Sequence, residues 1–140
     1  MYRILFITTV VLVLLGNTAI AQADKYVSTG WCRFQQGEWD KEWVPSADAG
    51  FTINSYSREI RFDHTTWASH TLKIDRTENS LTADGTSLIT YYCTEPANGD
   101  KWEVKFSEWT VFDEAVYYNY YQIEIKNPSA LMRFMTKKAD

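Results

Sequence analysis

Apolar and polar residues alternate along most of the chain after residue 23, as in REIRFD at 58–63 and YQIEIK at 121–126. A period of two puts successive side chains on opposite faces of a strand and fits no helical face. The six tryptophans, nine tyrosines and seven phenylalanines suit a pleated, half-covered surface. No helical spacing appears after the N-terminal apolar run, so the sequence predicts an all-β fold.

Turn chemistry divides that pattern into hairpins. In SLTADGTSLITYYC (80–93), Asp84-Gly85 as a two-residue turn sets Leu81 opposite Leu88. In YYCTEPANGDKWEVKF (91–106), Asn98-Gly99 sets Cys93 against Val104 and Tyr91 against Phe106. NPSA at 127–130 turns a third hairpin. There Ile125 meets Met132 and Ile123 meets Phe134 on one face, while Glu124 meets Arg133 on the other. With KYVSTGWCRFQ (25–35), FTIN (51–54), REIRFD, TLKID (71–75) and WTVF (109–112), roughly eight to ten short strands follow one another as a meander. Closure removes exposed edges, so a small closed or nearly closed antiparallel barrel is expected, with a two-sheet sandwich as the alternative.

Residues 1–21 read as a secretory signal: Arg3, an apolar run from Ile4 to Leu15, and small residues ending at Ala21, with Ala23 as a second cleavage point. The run is too short to span a bilayer, and no later stretch is long enough. The expectation is a single domain over 22–140, secreted or periplasmic. Fourteen basic residues stand against eighteen acidic ones. That balance argues against nucleic acid and anionic membrane surfaces as partners. Cys32 and Cys93 both follow the signal and are expected to pair in one disulfide. Closing that loop would constrain the unfolded chain by roughly 4 kcal/mol.

Both histidines lie in FDHTTWASH (62–70). One hairpin register sets His64 against His70, but it also opposes Arg61 to Lys73 and Glu59 to Asp75. A slide of two residues pairs opposite charges, sets His64 against Leu72, and separates the imidazoles. Two histidines fall short of a zinc ligand set, and no nucleophile motif accompanies them. A His-dependent metal enzyme is therefore the least favoured reading, and no catalytic residue, metal ligand or cofactor is assigned. Glu38, Asp40, Glu42, Asp113 and Glu114 read as solvated loop carboxylates, since sequence places no two of them at a glycosidase separation.

Tyr118 and Tyr120 fall on the face of VYYNYYQIEIK (116–126) opposite Ile123 and Ile125, and Trp39 and Trp43 share a face of GEWDKEWVP (37–45). These four are the expected ligand-binding residues, suited to a glycan, a small apolar ligand or a protein partner. A non-enzymatic binding module is the leading reading. The alternative is an inhibitor or adhesin using the loops at 44–50 or 95–101.

The signal ending near AIAQ, the FTINSYSREIRF hairpin, the YYCTEPANGDKWEVKF hairpin and the tyrosine-rich last-but-one strand resemble small exported proteins of Bacteroidetes-type bacteria. The resemblance covers most of the mature length and implies a compact barrel of the calycin sort, without an assigned activity. The Gly-x-Trp start of lipocalins is absent, because Gly30 and Trp31 are adjacent. The 91–106 hairpin also resembles periplasmic lysozyme inhibitors, whose further glycine-containing signatures are missing here. Neither likeness transfers a functional residue.

Overall fold

The structure, a computed structural model, describes residues 23–113 and 115–139, with the backbone alone at 111–113, 116 and 118. The predicted signal, residues 1–21, lies outside the described residues. Ten antiparallel strands follow in order: β1 (Asp24–Gln35), β2 (Glu38–Trp39), β3 (Val44–Pro45), β4 (Ala49–Asn54), β5 (Glu59–His64), β6 (His70–Leu81), β7 (Ser87–Thr94), β8 (Lys101–Asp113), β9 (Val116–Lys126) and β10 (Leu131–Lys138). Each of β4 to β9 pairs with its successor, and β1 pairs with both β4 and β10. Eight strands thus close into a barrel, with β2 and β3 as short additions beside β1. Among the described residues no helix is long and apolar enough to cross a membrane.

The interior is filled rather than hollow, as expected when only eight strands close. Phe51, Phe62 and Phe134 meet at its centre, with ring centroids 4.9 to 5.6 Å apart. Ile60, Leu72, Val104 and Ile123 complete that layer, all fully buried. Toward one end Tyr26 packs edge-on against Phe106 and Tyr121, and burial pushes its hydroxyl up to about 12.

The β9–β10 hairpin has the predicted register, including the Glu124–Arg133 pair at 2.8 Å. Two other hairpins differ. The 96–99 connection is a four-residue loop, so Tyr91 opposes Val104 and Cys93 opposes Trp102. That shift of two residues keeps every side chain on its expected face. At Asp84-Gly85 the shift is one residue: Leu81 opposes Ser87, and Thr82 N–H donates to Thr86 O at 2.9 Å. Of residues 83–85 only Gly85 has a positive φ, at 85°. The loop therefore combines a turn with a glycine bulge instead of the two-residue mirror-image turn. A further turn at Gln36-Gly37, φ 52° and 82°, joins β1 to β2 and was not anticipated.

The expected Cys32–Cys93 disulfide does not form; both thiols are free and buried. In the closed ring β1 and β7 stand four strands apart in either direction, on opposite walls. They also point to opposite faces. The β1–β10 ladder skips Thr29, so Ser28 opposes Thr136 but Gly30 opposes Met135 and Cys32 opposes Arg133. The extra residue turns Cys32 outward, away from the core that Cys93 joins. Trp43, packed over Gly30, and Trp39, held between Phe34 and Arg133, cover this outer face of β1.

Burial pushes the Cys93 thiol up to about 12 and raises that of Cys32, where Arg133 opposes the shift. A raised thiol holds little thiolate at pH 8, so both should resist iodoacetamide in the native protein. After unfolding without reductant, intact mass is expected to show two adducts. A mass without adducts would restore the disulfide.

Candidate functional site

The β1–β2 turn and the β5–β6, β7–β8 and β9–β10 connections gather at one end of the barrel. They frame a cavity of about 530 Å³. Trp31, Trp67 and Trp102 wall it, and Phe62, Ile125 and Met132 form its floor. Each wall residue has a backbone reason for its place. The skipped Thr29 that sends Cys32 outward sends Trp31 inward, opposite core Phe134. Trp102, the second residue of β8, lies opposite buried Cys93 and is itself only 3 % exposed. Trp67 rises from the β5–β6 loop, stacked on His64 at 4.0 Å.

The two histidines are not brought together. The β5–β6 ladder pairs Phe62 with His70 and Ile60 with Leu72, a register that neither predicted alignment matches. It sets Glu59 against Lys73, which relieves the like-charge clash by sliding the opposite way. His64 instead pairs with Ala49 of β4, and its Nδ1 accepts the Thr66 N–H at 3.1 Å. Asp63 holds the same loop by accepting from Ser69 Oγ at 2.6 Å and from Arg61; both bonds keep its carboxyl below the usual range.

His70 stands at the cavity wall, parallel to Phe62 and tilted against Trp102 with centroids 4.9 Å apart. Its Nδ1 lies 2.6 Å from Glu95 Oε1. Glu95 is buried at the start of the β7–β8 loop, where its other oxygen accepts from Asn98 Nδ2 at 3.3 Å. Its backbone carbonyl accepts from Gly99 N–H at 2.8 Å. A buried carboxylate is tolerated because both oxygens are bonded. With Nδ1–H given to Glu95, His70 keeps Nε2 as its remaining polar atom.

One polar atom is not satisfied. Among the described residues, Trp102 Nε1 is the buried side-chain nitrogen or oxygen without a hydrogen-bond partner. Arg33 is the formal cation of the lining. It opposes Met132 in the ladder, and its guanidinium lies 5.1 Å from the Trp31 ring.

Of the four aromatic residues chosen from sequence, Trp39, Trp43 and Tyr120 lie elsewhere, on the outer wall. Trp39 meets Phe34 edge-on at 5.4 Å and carries the Arg133 guanidinium over its ring at 3.8 Å. Trp43 packs over Gly30. Tyr120 stacks on Trp109, whose Nε1 donates to Ser107 Oγ at 3.0 Å. Tyr118 opposes Val111 in the ladder, and its side chain lies outside the described residues. Trp39 and Tyr120 are engaged with the barrel's own side chains, and Trp43 covers the backbone at Gly30.

A second depression, about 480 Å³, lies on the outer wall beside Trp102. Of its charges, Lys101 pairs with Asp75, Arg76 meets Glu78 and the face of Tyr92, and Glu103 opposes Lys126 in the β8–β9 ladder. Among the described residues no group of three or more His, Cys, Asp and Glu side chains converges to hold a metal ion. No protein-family model, curated protein or solved structure matches the chain. The site is therefore read from its own geometry.

Glu95→Ala removes the acceptor shared by His70 and Asn98 and is expected to lower the free energy of urea unfolding by about 1–3 kcal/mol. His64→Ala, beside an exposed loop, should cost under about 0.5 kcal/mol. Equal losses would contradict the role of Glu95 as the anchor of this end.

Proposed function

We propose that this protein is a non-enzymatic binding module, exported to the periplasm or beyond, that takes a small, largely apolar ligand into the open end of its barrel. The observation that carries the reading is the cavity walled by Trp31, Trp67 and Trp102, with Arg33 as the formal cation of its lining. Ligand pockets of several hundred cubic ångströms are mostly apolar with a few placed polar groups, and this one has that character. Flat rings bind other flat bodies with little loss of side-chain freedom. The export signal at residues 1–21 supports the location.

N-phenyl-1-naphthylamine, a neutral fluorophore, is a suitable first probe. Its emission should rise saturably with the protein. Trp67→Ala, a change in an exposed loop, should weaken binding at least fivefold, while Trp39→Ala and Trp43→Ala leave it within twofold. The absence of saturable binding, or a loss confined to the Trp39 and Trp43 variants, would refute the barrel-end site.

A further inference from the structure

We infer that the ligand class is a small apolar monoacid: a ring body with one carboxylate at the rim. The inference rests on the binding reading above and names what that site selects. One rim donor above an apolar lining carries it.

That donor is the Arg33 guanidinium. The carboxylates near it are committed elsewhere. Asp40 accepts from the Arg33 backbone N–H at 2.9 Å and from Gln35 Nε2 at 3.1 Å. Glu95 is occupied by His70 and Asn98. Among the described residues the Arg33 guanidinium has no carboxylate partner, and its face rests on Trp31, leaving its edge of N–H groups for an anion. A guanidinium pairs with a planar carboxylate through two parallel bonds.

The rest of the lining decides between anions. One arginine beside three indoles suits a single negative charge on a flat apolar body. A phosphate ester or diphosphate would need more cationic groups, and a glycan would need a run of polar partners in place of Phe62, Ile125 and Met132.

Two related probes test the rim contact by calorimetry: 2-naphthoate and its neutral amide, 2-naphthamide. The acid should bind about tenfold more tightly than the amide. In Arg33→Gln that preference should vanish while amide affinity stays within twofold. If acid and amide bind equally, and Arg33→Gln changes neither, the acid inference fails while the binding module stands. If neither binds at millimolar concentration, the binding module itself fails.

Discussion

Eight strands make a barrel only when the first finds the last, and here that seam is the ladder between β1 and β10. It runs from Tyr26 opposite Lys138 to Arg33 opposite Met132, with one interruption at Thr29. On the near side of the skip, Ser28 and Thr136 face each other inside the wall, both essentially inaccessible. They are satisfied by Ser46 and by the Tyr121 carbonyl. Beyond the skip the parity of β1 reverses, so Trp31 and Arg33 turn inward and Cys32 turns outward. One extra residue therefore decides which aromatic ring and which cation reach the open end, and whether two thiols can meet.

The filled centre follows from the same closure. Eight strands leave room for side chains and little else. The three clustered phenylalanines separate the two ends, so the end gathered around Trp102 and His70 is a cup resting on a solid core. Its walls come from distant parts of the chain: β1, the β5–β6 loop, the start of β8 and the β9–β10 connection. The His70–Glu95 bond, between residues 25 apart in sequence, ties two of those parts together.

What the sequence made legible was parity. Alternation placed Ile123, Ile125, Met132 and Phe134 inside, and Glu124 with Arg133 outside, because nothing interrupts that hairpin. It also placed Trp102 on the face of Cys93, since the four-residue loop shifted the register by an even number. Legibility failed wherever one residue was inserted. Between Ile74 and Arg76 the ladder skips Asp75, and between Ser28 and Gly30 it skips Thr29; neither residue type announces a bulge. The disulfide and the position of Trp31 were lost together at that second skip. The site was less legible than the fold for a related reason: tryptophans that shared a face in sequence were visible, whereas those assembled by closure from separate strands were not. Trp39 and Trp43 attracted attention as neighbours in one segment, yet they serve to cover β1.

The central claim is therefore that β1 and β10 close the barrel in a ladder that skips Thr29. Backbone nuclear Overhauser contacts between the two strands test it most directly. The account predicts contacts of Ser28 with Thr136, Trp31 with Phe134 and Cys32 with Arg133, leaving Thr29 without a partner. An unbroken ladder with Cys32 opposite Met132, or no contact between the strands at all, would contradict it.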